Sequence, residues 1–255
     1  MLNEVYTEFY SKVVADDIQS QRHYLQVVET ERGIPVDYLL RLGCLFIPNS
    51  EYIEHYLGEK AHDFRLGFYS HGKCLWDLNL LIPIHDLAQD VVGFVGWDLW
   101  NKFKEREDGQ EGLSMYKVSP SSVFKRDRFF LSDVPLLKST FDTRVIFVTD
   151  GVFDTLSLSY AGIPSIALLG SSFSREILYF LSWYDRVYVC ADNDSAGLSL
   201  VRKLARSCSN VFRILQNKGK DIDDVLRNPT TRGFTIEQLT ALLTSKIPED
   251  ITLRL

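Results

Sequence analysis

The 255-residue chain has no long apolar run. Its longest apolar pieces, such as VIFV and SIALL, are strand-length, far short of the ~20 apolar residues that a membrane-spanning helix requires. It has no Cys-x-x-Cys pair either. The four cysteines, Cys44, Cys74, Cys190 and Cys208, lie far apart, so they give neither a zinc ribbon nor a disulfide framework and read as reduced, buried thiols. There is no basic-then-apolar leader: Met1 opens onto a helical pattern carrying Glu4, Glu8, Asp16 and Asp17, so a cytoplasmic location is the expectation. Internal repeats and low-complexity segments are also missing. What is present, 45% hydrophobic and 24% charged residues, suffices for the core of one or two domains and rules out a disordered chain.

An excess of positive charge is lacking as well. The net charge of −6 argues at first against nucleic acid, whose phosphates attract Lys and Arg. Its distribution changes the reading. Residues 1–64 hold 11 acids and 5 basics, which accounts for the whole −6, and the remainder is balanced. From Leu200 to Lys220 there are six basics (Arg202, Lys203, Arg206, Arg213, Lys218 and Lys220) and no acid. The run reads either as local positive surface or as a solvated helix face.

The first 60 residues read as helices: Leu2 to Ile18, Tyr24 to Arg32 ending at Gly33, a short one from Pro35 to Gly43, and Ser50 to Leu57. From Phe64 to Leu99 the pattern turns strand-like, with LNLLIPIHD and VVGFVGWDL separated by a turn at Leu87 to Asp90. The polar stretch Asn101 to Glu111 reads as a surface loop. After Thr143 the rhythm alternates. VIFVTD, SIALLG, RVYVCAD and NVFRILQ are separated by three amphipathic segments, Asp154 to Ala161, Ser174 to Trp183 and Ser195 to Cys208, which predicts βαβ units and a parallel sheet covered on both faces. Thr235 and Gln238 form a capping box for a final helix.

Ligands of a parallel sheet meet the carboxyl ends of its strands, and there the chain collects aspartates. Asp150 ends VIFVTD and Asp154 opens the next helix; Asp192 ends RVYVCAD and Asp194 precedes Ser-Ala-Gly; Asp221 and Asp223 follow the fourth strand. Neighbouring strands are ~4.8 Å apart, so acids at two adjacent ends can share one ion. Gly151 and Gly197 permit the strand-to-helix turns. Carboxylate oxygens without Cys or His suit a hard cation, Mg²⁺ or Mn²⁺. Each aspartate taken singly could instead be a helix N-cap.

These residues resemble the Toprim domain of DnaG-type primases, topoisomerases and related nucleases. TDGVFD stands at the place of its Glu-Gly-x-x-Asp motif and DNDSAG at its Asp-x-Asp-x-x-Gly motif. The flanks AGIPSIALLGSSFS, LSWYDRVYVCADNDSAG and GKDIDDVL, and upstream YLQVVETERGI, LLIPIHDLAQDVVGFVGWDL and YKVSPSSVF, are similar to bacterial and phage primases. The resemblance implies a mixed α+β amino-terminal subdomain over residues 1–140, a Toprim α/β subdomain over 141–230 and a helical tail over 231–255. It departs from the family's pattern at Asp150, where Glu is usual, and at Asn79, His85, Trp97 and Met115, where Arg or Lys is usual. Those departures thin the basic ridge that would hold template.

The resemblance further implies template-directed synthesis of short RNA primers on single-stranded DNA from ribonucleoside triphosphates. Asp150, Asp192, Asp194, Asp221 and Asp223 would hold Mg²⁺ or Mn²⁺, Asp150 would serve as base or metal-water partner supported by Asp154, and Lys220 would meet triphosphate. Lys117, Lys125, Arg126 and Arg128, around SPSSVF, would grip template or nucleotide, or form a plain surface turn. His85 reads as structural, and Trp97, Trp100 and Phe103 as core or as base-stacking rings. A replicative helicase and a separate zinc-binding module are the implied partners, with no membrane. A Toprim-type metal-dependent nuclease and a non-catalytic Toprim protein binding nucleic acid or a replication partner are the alternatives.

Overall fold

The structure, a computed structural model, describes residues 1–98, 116–120, 129–131, 133–139, 141–169, 174–192, 194–214, 222, 239–240 and 252–254. The expected loop at Asn101 to Glu111, the rings of Trp100 and Phe103, and the Thr235 capping box lie outside them. Two compact units are present, residues 1–31 with 35–126, and residues 32–34 with 127–255. Among the described residues no helix is long and apolar enough to cross a membrane.

In the first unit Tyr6, Phe9 and Val13 repeat at helical spacing and bury one face of α1 (Leu2–Arg32). As the pattern predicts, α1 consists of two helices, and they meet at a kink at Asp17, whose backbone leaves helical values (φ −135°, ψ 25°). The bend has side-chain causes. Tyr52 donates its hydroxyl to the Asp17 carboxylate at 2.8 Å, from α3 (Ser50–Leu57), which Asn49 caps by accepting from the Tyr52 N–H. One turn further along α1, the fully buried Gln21 donates through Nε2 to the Phe46 carbonyl at 2.9 Å and accepts the Phe46 N–H at 2.7 Å. Phe46 lies in β1 (Leu45–Ile47), an edge strand that the periodicity did not reveal, because three apolar residues give too short a pattern. Gln21 thus takes the place of a neighbouring strand.

A short helix α2 (Val36–Arg41) precedes β1, and a two-stranded hairpin, β2 (Tyr69–Ser70) and β3 (Lys73–Cys74), follows α3. The antiparallel sheet runs in the order β1-β4-β5-β6, with β4 at Asn79–His85, β5 at Val91–Asp98 and β6 at Tyr116–Val118. Phe9, Phe68, Trp76 and Phe94 form its aromatic core. Gly96 is required there, since a Cβ would lie 2.7 Å from the Trp76 ring.

The second unit is a six-stranded sheet in the order β12-β11-β10-β8-β9-β7. Its four inner strands, β8 (Val145–Thr149), β9 (Ser165–Leu168), β10 (Arg186–Cys190) and β11 (Val211–Ile214), are parallel, as the buried apolar runs predict. They alternate with α5 (Val152–Tyr160), α6 (Arg175–Leu181) and α7 (Ser195–Ser207); α4 (Val134–Ser139) precedes β8. Both edges are antiparallel: β7 (Phe129–Leu131) pairs β9, and β12 (Thr252–Arg254) pairs β11. The strand β12 corrects the helical reading of the tail at its end, where ITLRL alternates apolar and polar residues with the period of a strand.

Replacing Gln21 by Leu would strand the buried Phe46 amide and carbonyl, each worth roughly 1–3 kcal/mol when orphaned. Gln21→Leu should therefore lower the urea midpoint by the equivalent of about 3 kcal/mol, and an unchanged midpoint would refute the role assigned to Gln21.

Candidate active site

Strands β8 and β10 pair in parallel with Thr149 opposite Cys190, so the loops that leave their carboxyl ends lie side by side. Asp150 is the first residue beyond β8 and Asp192 the second beyond β10. They touch: the Asp192 N–H donates to Asp150 Oδ2 at 3.2 Å. Asp154, in the first turn of α5, is buried at 8% exposure, and a helix N-terminus is where a buried carboxylate is least costly. Beneath these two carboxylates lies Cys190, whose thiol is driven upward in pKa first by burial and then by the charges of Asp154 and Asp150. It is a neutral thiol, flanked by acids.

The loop at Asp150 is fixed from below. Thr149 donates its hydroxyl to the Gly151 carbonyl at 2.8 Å, and Thr149 Oγ1 lies 2.7 Å from Thr155 Oγ1. Both threonines are fully buried. Since the single Thr149 proton is committed to Gly151, Thr155 supplies the proton between the two hydroxyls. Sequence reading missed this pair, because two threonines six residues apart carry no motif.

Neither Asp150 nor Asp154 is the cap of α5; that position belongs to Gly151. Asp194 is a cap, accepting the Gly197 N–H at 2.8 Å at the start of α7, and is exposed. The two glycines were expected to ease tight turns, yet neither has a positive φ and each serves close approach instead. A Cβ at Gly151 would overlap the Asp154 carboxylate, and one at Gly197 would overlap the Asp192 carbonyl.

Asp221, Asp223, Lys220, Lys125, Arg126 and Arg128 lie outside the described residues. Ile222, between the two aspartates, is fully buried in the core of the second unit with Phe147, Tyr188 and Phe212. Lys117 lies in β6 opposite Gly96. Asn79 and Trp97, where the resembled family has Arg, are completely buried in the first unit, so Trp97 is a core residue and presents no face to a base. His85 is partly buried, and desolvation lowers its imidazole pKa against the opposing pull of Asp86. Among the described residues, no group of three or more His, Cys, Asp or Glu side chains could hold a metal ion.

Residues 147–226 match the Toprim-like family model described as Toprim_2. The structure superposes on the zinc-binding and RNA polymerase domains of the Aquifex aeolicus primase with a TM-score of 0.72 at 21% identity, covering 99% of this chain and 60% of that one. A DnaG primase catalytic domain bound to single-stranded DNA gives a TM-score of 0.71 at 19% identity over 94% of this chain and 77% of the other. The fold is that of a DnaG primase catalytic core. In sequence, the chain is 26% identical over 224 residues to the DNA primase of Rickettsia conorii, covering 80% of this chain and 35% of that primase. It spans between about a quarter and two fifths of the curated primases it matches over most of its length.

The two glycines predict opposite outcomes. Gly→Ala inside an ordinary helix gains ~1 kcal/mol, but Gly197→Ala must force the Asp192 peptide aside and should lower the melting temperature. Gly151→Ala meets only the movable Asp154 side chain, so it should leave the melting temperature nearly unchanged while displacing that carboxylate. A stabilised Gly197→Ala protein would contradict the packing described.

Proposed function

We propose that this chain is the catalytic core of a DNA primase, joining ribonucleotides on a single-stranded DNA template. The observation that carries the reading is the contact between Asp150 and Asp192 at adjacent strand ends, within a DnaG-core fold. Support comes from the relatives named DNA primase and from the similar catalytic domain whose structure contains single-stranded DNA.

A 3′ hydroxyl attacks the α-phosphorus of a ribonucleoside triphosphate in line; the new P–O bond forms as the bond to pyrophosphate breaks. Asp150 is the group proposed to take the hydroxyl proton, directly or through water. Its position is set by the Asp192 amide and by the Thr149 bond to Gly151, which spans it in the chain. Asp154 supports it with a second negative charge. The donor chemistry fits a hard divalent cation: the acids are carboxylates, and Cys190 is kept a neutral thiol rather than a competing soft ligand. Asp150, Asp192, Asp194, Asp221 and Asp223 would hold Mg²⁺ or Mn²⁺, which when bound would neutralise charge on the transferring phosphoryl group. Lys220 is proposed for the triphosphate, and Lys117, Lys125, Arg126 and Arg128 for template or nucleotide. A zinc-binding module and a replicative helicase are the proposed partners, and the cytoplasm the proposed location.

One observation favours the non-catalytic alternative. Buried Asn79 and Trp97 remove two cations from the first unit where the family has arginine. A single assay separates the readings: single-stranded DNA, the four ribonucleoside triphosphates and Mn²⁺, with products resolved on a gel. New short RNA is expected; shortened DNA would indicate the nuclease, and unchanged DNA the binding protein. Asp150→Asn keeps the acceptor for the Asp192 amide and should hold the melting temperature while losing ~100-fold or more of incorporation. Asp150→Glu should retain a measurable fraction. An Asn variant as active as wild type would return Asp150 to a structural role.

A further inference from the structure

Of the basic run from Leu200 onward, only Lys220 has a part in the site proposed above; the residues of the run that lie on α7 have none, and the structure gives them neighbours. Arg202, Lys203 and Arg206 are exposed on α7. The connection from β9 to β10 and that from β10 to β11 step in the same direction across the sheet, so right-handed crossovers lay α6 and α7 on one face. Asn210, in the turn after α7, ties the two together by donating Nδ2 to the Leu181 carbonyl at 3.3 Å and to the Tyr184 carbonyl at 2.6 Å, at the end of α6.

At that same end stand two exposed aromatic residues, Tyr179 at 65% and Trp183 at 46% exposure. Their rings are 5.4 Å apart and nearly perpendicular. Tyr179 stands on the outward side of α6, whose inner face, Ile177, Phe180 and Leu181, is buried, and Trp183 lies in the turn just after the helix; both are exposed, so the core does not require them. Trp183 is held in place: the Arg144 guanidinium donates Nε to its carbonyl at 3.2 Å and pairs with Asp185 at 3.1 Å. That ion pair engages Asp185, just before β10, and the acid on α6 itself, Glu176, lies at the far end of the helix.

The geometry points to this face as a second binding surface for single-stranded nucleic acid, away from the aspartates. Trp183 and Arg144 precede β10 and β8, whereas Asp150 and Asp192 follow those strands, so the two regions sit at opposite edges of a sheet about 16 Å across. Exposed rings and exposed cations on one face of the sheet fit an unpaired strand, which offers a π-face and a phosphate at every nucleotide. An acidic peptide would use the cations but gives no reason for two rings able to stack. This surface takes no part in the catalytic step.

The test is fluorescence anisotropy with a labelled oligodeoxythymidylate of about 20 nucleotides, titrated over a range of salt. Tyr179→Ala with Trp183→Ala should weaken binding about tenfold, and Tyr179→Phe with Trp183→Phe should restore most of it. Arg202→Gln with Arg206→Gln should reduce the slope of log affinity against log salt by about 1.4, roughly 0.7 for each phosphate that is no longer neutralised. Equal affinity of the double-alanine and wild-type proteins, at matched melting temperatures, would overturn the inference. So would a double-alanine protein that loses only an acidic peptide, and so would a wild type that binds no oligonucleotide.

Discussion

The hydrogen bond from the Asp192 amide to the Asp150 carboxylate joins the two loops on which the catalytic reading depends, and it exists because β8 and β10 are adjacent and in register. A charged acceptor bonded to a backbone amide contributes ~1.5–3 kcal/mol. Asp154, in the first turn of α5, is a further carboxylate and is buried. Gly151 and Gly197 belong to the same constraint, since a side chain at either would collide with one of the acidic loops.

Much of this edge of the sheet was legible in the residues. Apolar runs of four or five residues ending in aspartate, alternating with amphipathic segments, predict parallel strands with acids at their carboxyl ends, and β8, β9, β10 and β11 are parallel. The roles of individual acids were not legible. Whether an aspartate caps a helix depends on one backbone turn: Asp194 caps α7, whereas Gly151, not Asp150, caps α5. The Thr149 and Thr155 pair, the Gln21 bonds to β1 and the Tyr52 bond at the Asp17 kink all come from side chains meeting without a sequence motif.

The two units differ in how they handle charge. The first buries Asn79 and Trp97 in its interior and carries the surplus of acids; the second gathers aspartates at one edge of its sheet and exposed cations with aromatic rings at the other. A chain with net charge −6 can therefore still present a local positive surface, and nucleic-acid binding is decided by that placement rather than by the total.

The central claim is that Asp150 and Asp192 belong to one cation site. It is tested most directly by equilibrium Mn²⁺ binding, read from the electron paramagnetic resonance signal of the free ion, in wild type and in Asp192→Asn at matched circular dichroism. The account predicts that wild type binds Mn²⁺ and that the variant binds it at least about tenfold more weakly, no less than the loss of an outer-shell partner costs a metal site. Equal binding by the two proteins would contradict it.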